Sequence, residues 1–131
     1  MTEKKSWRLQ EITWPEVEAY LKHDDIILLP VGSVEQHAYH MPLGTDSYTA
    51  IAFAEDAARE AEVLCAAPVW YGWATHHMGY PGTVSLKPET FTELVYEIGI
   101  SLIYHGFTKI LIVNGNAQAN LPPMHIAANK L

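Results

Sequence analysis

Three short apolar runs alternate with longer stretches in which apolar side chains recur every three or four positions. The runs cover residues 26–31, 63–69 and 109–113. A run that is apolar at successive positions predicts a strand buried on both faces, as in a parallel sheet. Because helical stretches separate the runs, we predict three parallel strands that are neighbours in one sheet.

Helices are predicted in the stretches around these strands. The first begins at Thr13-Trp14-Pro15-Glu16, where Thr13 and Glu16 can form a capping box, and ends near His23. An alanine-rich helix is predicted over about 45–61, and the clearest helix covers residues 87–106. Pro122-Pro123 starts another. The resulting order α, β, α, β, loop, α, β, α is typical of an α/β protein with a mostly parallel sheet covered by helices.

Length and composition indicate an ordinary globular protein. The chain has 131 residues, 49% apolar and 18% charged, which fits a single domain over residues 1–131. No run of 18 or more apolar residues predicts a membrane span, and no apolar core follows Lys4 and Lys5 as it would in a signal peptide. The single cysteine, Cys65, fits a reducing compartment, so we expect a cytoplasmic protein.

Charge narrows the choice of partners. The formal net charge is −7 and only 8 residues are lysine or arginine, without a basic run. We therefore expect neither nucleic acid nor an anionic membrane as the main partner, since both require clustered cations. The 7 histidines are unusual, and several lie near acidic residues, which directs attention to metal binding.

The strongest chemical candidates follow the first predicted strand. Glu35 and His37 are two positions apart in an extended segment, so their side chains point to the same side. Asp46 follows after a Pro42-Leu43-Gly44 turn, at a predicted helix start. These oxygen and nitrogen donors suit zinc or manganese. The spacing alone also fits a solvated loop, and Asp46 alone also fits a helix N-cap.

The same segment resembles a known family. Leu29-Pro30-Val31-Gly32-Ser33-Val34-Glu35-Gln36-His37, followed by Met41-Pro42-Leu43-Gly44-Thr45-Asp46, is similar to the motif of the creatininase (creatinine amidohydrolase) family. Further matches run from Tyr71-Gly72 through His77 to Tyr80-Pro81-Gly82-Thr83, and from Gly106-Phe107 to Asn114-Gly115. The resemblance covers most of the chain.

The resemblance implies a three-layer α/β/α fold and a site with two divalent metal ions, zinc or manganese. It implies hydrolysis of a small cyclic or linear amide, or of a related ring such as a cyclic sugar-like ketone, within a homo-oligomer, a hexamer. By position, Glu35 is expected to bind one ion, His37 the other, and Asp46 to bridge them. Such ions acidify a bound water, which becomes the nucleophile.

Two expected ligands depart from the family pattern. Where the family has Asn-Gly-His, the third residue here is Asn116, and where creatininase has a glutamate two residues later, this chain has Gln118. We expect both to serve as metal ligands through their amide oxygens, which add no charge. The expected outcome is a weaker or more selective site, with the loss of one ion as the alternative. His125 on the following helix is a further candidate ligand.

His77 is the candidate catalytic residue, because it occupies the family's position in the aromatic loop and could relay a proton. The alternative is a loop histidine that hydrogen-bonds to the backbone.

The chain ends inside a predicted helix, and relatives run to about twice its length. We therefore expect the domain to be incomplete at its C-terminus, to be found with a C-terminal partner segment, and to lack activity by itself. A non-catalytic relative with a weakened metal site, or one subunit of a two-chain enzyme, are the alternative functions.

Overall fold

Three parallel strands form the centre of the computed structural model, which describes residues 6–131. The first five residues, including the two lysines considered above, lie outside the described part of the chain. Strand β1 spans Ile26–Val31, β2 spans Leu64–Cys65 and β3 spans Lys109–Asn114. The order is β2-β1-β3, with β1 parallel to both neighbours. The predicted arrangement of neighbouring parallel strands is confirmed.

Four α-helices accompany these strands within the described residues. They are α1 Trp14–Tyr20, α2 Thr45–Ala61, α3 Pro88–His105 and α4 Leu121–Lys130, with short 3-10 helices at Leu9–Glu11 and Thr75–His77. The Glu16 carboxylate accepts the Thr13 backbone N–H at 2.7 Å, as the capping box predicts. No helix in residues 6–131 combines the length and the apolarity needed to cross a membrane.

Helices cover both faces of the sheet, because alternate side chains of β1 point to opposite sides. On one face Leu28 packs with Ala54 and Ala58 of α2. On the other face lies a larger cluster that joins β1 to α3 and α4. Its buried members include Ile27, Leu29, Val31, Phe91, Val95, Leu102, Met124 and Ala127. The fold is therefore the predicted three-layer α/β/α arrangement.

The second strand is shorter than the predicted run of residues 63–69. Its regular ladder covers only Leu64–Cys65, and beyond it an isolated parallel bridge joins Val69 to Val31. Val69 donates its N–H to the Pro30 carbonyl at 2.9 Å, so this segment still follows β1. Pro68 has no N–H to contribute to the ladder, which accounts for the interruption.

Two polar loops leave the sheet at the same edge. Residues 32–44 follow β1, and residues 115–120 follow β3. Because the carboxyl ends of parallel strands meet at one edge, this is where an open α/β sheet binds its ligands. Gly115 donates its N–H to the Val31 carbonyl at 2.9 Å, which brings the second loop against the end of β1.

Candidate metal centre

The loop after β1 is held directly against the start of α2. A Cβ atom on Gly32 would lie 2.1 Å from Ser47 Oγ, so only glycine permits this approach. The Ser47 hydroxyl is within hydrogen-bond distance of the carbonyls of Ser33, at 3.2 Å, and Trp70, at 2.8 Å. The first turn of α2 consequently places Asp46 beside the segment that carries Glu35.

Glu35, His37 and Asp46 converge as the sequence predicts. One ligand atom from each residue lies within 4.8 Å of the ligand atoms of the other two. Glu35 and Asp46 are only 6% and 9% exposed, so both carboxylates are largely withdrawn from water. His37 Nε2 lies 2.9 Å from Asp46 Oδ1. Three chemically suitable donors therefore surround one point at the edge of the sheet.

The hydrogen bonds of His37 show which of its nitrogens is available to an ion. Nδ1 lies 3.0 Å from the Glu35 backbone carbonyl, which can only accept, so Nδ1 carries a proton. Nε2 is then the nitrogen left to bind an ion, beside Asp46; a ring whose other N–H donates to a backbone carbonyl is common among metal-ligating histidines. Burial lowers the pKa of His37, but the bond to the Glu35 carbonyl and the charge of Asp46 raise it by more. The pKa therefore lies above the ordinary value of 6.5.

Asn116 turns its amide nitrogen toward the carboxylates. Nδ2 lies 3.1 Å from Glu35 Oε2 and 3.0 Å from Asp46 Oδ2. Its Oδ1 accepts the backbone N–H groups of Ala119 and Asn120, at 3.0 and 3.4 Å, at the start of α4. Because those N–H groups can only donate, they define which end of the amide is oxygen. This orientation differs from the ligand role that the resemblance implies, since coordination through Oδ1 would leave both N–H groups without that acceptor.

Asn116 reaches this position because a glycine precedes it. A Cβ atom on Gly115 would lie 2.0 Å from the Asp46 backbone oxygen, so any larger residue would push this loop away from the first turn of α2. The packing of the Gly115 backbone against the Asp46 backbone therefore helps to hold the Asn116 side chain beside the Asp46 carboxylate.

Gln118 and His77 line one open cavity together with the carboxylates. The cavity has a volume of about 370 Å³, and Asn116 and His76 line it as well. Gln118 is exposed and His77 is partly exposed. The His76 ring lies 4.1 Å from the His77 ring, centroid to centroid. His125, the further candidate, is exposed on α4 and does not line this cavity.

His77 contacts two residues of the motif. Its Nδ1 lies 2.8 Å from Gln36 Nε2, and its Nε2 lies 3.6 Å from Glu35 Oε1. The short 3-10 helix Thr75–His77 delivers it, and Trp73 supports that turn by donating its indole N–H to Thr75 at 3.0 Å.

The sequence did not single out two buried polar residues that organise the centre. The Ser33 hydroxyl donates to Glu35 Oε2 at 2.8 Å, and its position two residues before Glu35 in an extended segment was an available signal. Asn120 is fully buried. Its side-chain NH2 donates to the Gly32 carbonyl at 2.9 Å, and its side-chain oxygen accepts the backbone N–H of Trp73 at 3.1 Å. No sequence pattern marks Asn120, because its partners come from distant loops.

The charges at this point fit a divalent cation. Within residues 6–131, the ion-pair partners of Glu35 and Asp46 are His77 and His37, with no lysine or arginine among them. Two buried carboxylates so close together repel each other. A divalent cation would offset that repulsion, and carboxylate oxygen with imidazole nitrogen is a donor set suited to zinc or manganese.

Several known proteins are similar to this chain in sequence and in fold. The creatininase family model, described as creatinine amidohydrolase, matches residues 10–131. The 3-dehydro-scyllo-inosose hydrolase of Thermotoga maritima is 35% identical over 118 residues, and the creatinine amidohydrolase of Pseudomonas putida is 31% identical over 123 residues; each alignment covers 89% of this chain. The mycofactocin precursor peptide peptidase of Mycolicibacterium smegmatis is 38% identical over 97 residues, or 70% of this chain.

Solved creatininase structures superpose closely. A tryptophan-to-phenylalanine mutant creatininase matches with a TM-score of 0.91 and 30% identity over 96% of this chain. A mutant creatininase described as the Zn-Zn type and a structure described as creatininase Mn give TM-scores of 0.90 and 0.85, each at 30% identity and 97% coverage.

The chain spans about half the length of these proteins. It covers 38% and 47% of the first two relatives named above and 51% of the first structure. The family match nevertheless contains all three strands and both polar loops. The chain belongs to the creatininase family.

Proposed function

We propose that this chain binds a divalent cation through Glu35, His37 and Asp46, and that the protein is a metal-dependent hydrolase of a small amide or related ring. The observation that carries the proposal is the convergence of these three donors within 4.8 Å, beside an open cavity at the carboxyl edge of the sheet. Zinc and manganese, the metals named for the creatininase structures, are the candidate ions.

The residues of the chain prepare this position in three ways. His37 donates Nδ1–H to a carbonyl and so offers Nε2 as the binding atom. Ser33 and Asn116 both donate to Glu35 Oε2, which fixes the orientation of the carboxylate. Asp46 is buried in the first turn of α2, where the helix dipole favours a negative charge. A cation bound there would supply Lewis-acid polarisation of a carbonyl and would lower the pKa of a bound water toward neutral.

We propose one ion per chain. Asn116 Nδ2 donates to one oxygen of Glu35 and one oxygen of Asp46, and so occupies positions that a second cation would need. The amide adds no positive charge, and its oxygen is held by the backbone N–H groups of Ala119 and Asn120, just before α4. Gln118 is the remaining candidate ligand, because it lines the same cavity.

His77 is the proposed catalytic residue. Hydrolysis of an amide needs a group that donates to the substrate as charge develops on it, and a histidine within reach of the substrate is a common choice. His77 lines the cavity, and its Nε2 is 3.6 Å from Glu35 Oε1, so it lies next to the proposed ion-binding residues.

The substrate class follows from the cavity and from the relatives. A volume of about 370 Å³ accommodates a small molecule, and most of the lining side chains are polar, from Glu35, Asp46, His76, His77, Asn116 and Gln118. The relatives are named for hydrolysis of creatinine, an inosose and a precursor peptide. A small polar molecule with an amide or ketone carbonyl is the class we propose.

A second candidate function is a non-catalytic family member. The observation that favours it is Asn116, whose neutral amide nitrogen already satisfies both carboxylates without an ion. In that case the chain would keep the fold and bind metal weakly.

Metal titration combined with a substrate panel tests the proposal. The purified chain is stripped with chelator and titrated with manganese and with zinc by calorimetry, and elemental analysis gives the number of ions. The reconstituted chain is then assayed on creatinine, a formamide and an inosose, alone and together with a C-terminal partner segment. One ion per chain with metal-dependent turnover in the presence of that segment supports the proposal, and metal uptake without turnover even in its presence favours the non-catalytic candidate. Failure to take up either metal contradicts both the ion site and the enzyme built on it.

A further inference from the structure

Gln36 lies between the two proposed ion-binding residues of the motif, but its side chain faces elsewhere. Glu35 and His37 converge on Asp46, whereas Gln36 Nε2 lies 2.8 Å from His77 Nδ1. The pair is separated by 41 positions in the sequence. The function proposed above assigns no role to Gln36.

The orientation of the Gln36 amide is determined by the backbone. Its Oε1 accepts the backbone N–H of Ala38 at 2.9 Å. An N–H group can only donate, so the atom facing Ala38 is the oxygen and the atom facing His77 is the NH2 nitrogen. The Gln36 backbone is itself anchored, because its N–H donates to Thr83 Oγ1 at 3.2 Å.

This orientation selects one form of the His77 ring. An NH2 group donates, so His77 Nδ1 must accept and carries no proton. In the neutral imidazole the proton then resides on Nε2. Nε2 is 3.6 Å from Glu35 Oε1, which is too long for a good hydrogen bond, so its N–H is available to another acceptor in the cavity.

We propose that Gln36 is a positioning residue that holds neutral His77 in the Nε2–H form and thereby makes it a hydrogen-bond donor to the substrate. In this form His77 can serve neither as a base through Nε2 nor as a metal ligand through that atom, since both roles need the lone pair. The catalytic part of the inference rests on the proposed hydrolysis; the assignment of the tautomer does not.

The proton balance of the step follows from this form. Water oxygen forms a bond to the substrate carbonyl carbon, and the carbon–nitrogen bond breaks with its electron pair moving to nitrogen. That nitrogen takes a proton released by the attacking water. The His77 Nε2–H donates a hydrogen bond to the substrate during this step and keeps its proton, so the residue is unchanged after each turnover.

Nitrogen NMR of the metal-free, substrate-free chain tests the tautomer directly. With 15N-labelled histidine at alkaline pH, where imidazoles are neutral, His77 is expected to show a bare Nδ1 and a protonated Nε2. Gln36→Glu replaces the donor with an acceptor of the same shape while keeping an oxygen for Ala38. His77 Nδ1 should then acquire a proton. Gln36→Leu should leave a mixture of the two forms.

Gln118→Glu is the matched control, because it adds the same charge beside the same cavity at a residue that forms no hydrogen bond with His77 in the described structure. It should leave the His77 tautomer unchanged. An amide NMR spectrum matching the unmodified chain checks that each variant folds, and Gln36→Leu still decides the question if Gln36→Glu does not.

A protonated Nδ1 in the unmodified chain, or no change of tautomer in a folded Gln36 variant, overturns the proposal. If the tautomer is as expected but the chain neither binds metal nor turns over substrate, the proposed function fails while the Gln36–His77 assignment stands.

Discussion

Asp46→Asn should have opposite effects on the stability of the metal-free chain and on its response to metal. Asp46 makes two contacts through its carboxylate, to His37 Nε2 at 2.9 Å and to Asn116 Nδ2 at 3.0 Å. An asparagine can satisfy both, because its NH2 can donate to the bare Nε2 and its oxygen can accept from Asn116. The substitution therefore removes a charge without removing a hydrogen bond.

The magnitude follows from the distance between the two carboxylates. At 4.8 Å or less, with an effective dielectric constant of roughly 20, two ionised carboxylates repel by about 3 kcal/mol. Replacing a charged acceptor by a neutral one gives back about 1 kcal/mol of hydrogen-bond strength. At alkaline pH, where His37 is neutral, the metal-free variant should gain about 2 kcal/mol in free energy of unfolding. For a domain of this size that raises the Tm by roughly 8 °C.

The stabilisation that a bound metal ion adds, measured as the increase in Tm, should become smaller in Asp46→Asn. At a concentration of about one hundred times its Kd, a bound ion adds about 2.7 kcal/mol to the stability of the unmodified chain, or roughly 10 °C in Tm. Asp46→Asn should lose most of this increase. Thermal unfolding followed by circular dichroism, with chelator and then with manganese, measures both effects in one experiment.

Asp56→Asn provides the matched control on the same helix. Asp56 is exposed and forms a surface ion pair with Arg59 at 2.8 Å, so its loss should change stability by less than about 0.5 kcal/mol. The metal response of this control should equal that of the unmodified chain. A full manganese response in Asp46→Asn would refute the ion assignment. A metal-free Asp46→Asn that unfolds at a lower temperature than the unmodified chain would refute the repulsion argument.

Three further experiments address the rest of the centre and the fold. Asn116→His adds an imidazole donor and should raise zinc affinity by about tenfold or more in chelator competition, whereas Asn129→His on the exposed surface of α4 should not. Manganese affinity, measured by calorimetry, should fall as the pH drops through the raised pKa of His37, because the proton competes for Nε2. In the metal-free chain, charged His37 stabilises the fold below about pH 6.5, and that stabilisation is lost as the pH rises past the raised pKa. Glu62 ends α2 in a left-handed conformation with φ of 58°, so Glu62→Gly should raise stability in urea by about 1 kcal/mol, while Glu60→Gly inside the helix should lower it by a similar amount.

The sequence predicts the layout because its strongest signals are local. Apolar runs and helical spacing specify the elements, and the carboxyl ends of parallel strands then bring their loops together. Glu35 and His37 could be paired because they are two positions apart in one extended segment. The shortened β2 was missed because the apolar run continues through Pro68, where the ladder loses a donor.

The details that sequence could not supply depend on partners far along the chain. The direction of the Asn116 amide is decided by the backbone N–H groups of Ala119 and Asn120, which face Asn116 Oδ1 only in the folded turn before α4. The Gln36–His77 contact joins two loops that meet only in the folded structure. In both cases the residue type was visible, but the end of the side chain that faces the site was not.

The backbone turn at Ala38 affects both roles proposed for the loop after β1, the binding of an ion by His37 and the positioning of His77 by Gln36. Its φ of 55° is a left-handed conformation that an alanine adopts at a cost of roughly 1–2 kcal/mol. This turn directs the Ala38 N–H back to Gln36 Oε1. The Gln36 amide thereby faces His77, while the side chain of His37, the residue after Gln36, faces Asp46. Because the Ala38 N–H fixes the Gln36 amide, the strained turn at Ala38 favours the donor form of His77, in the same loop that supplies the ion-binding His37.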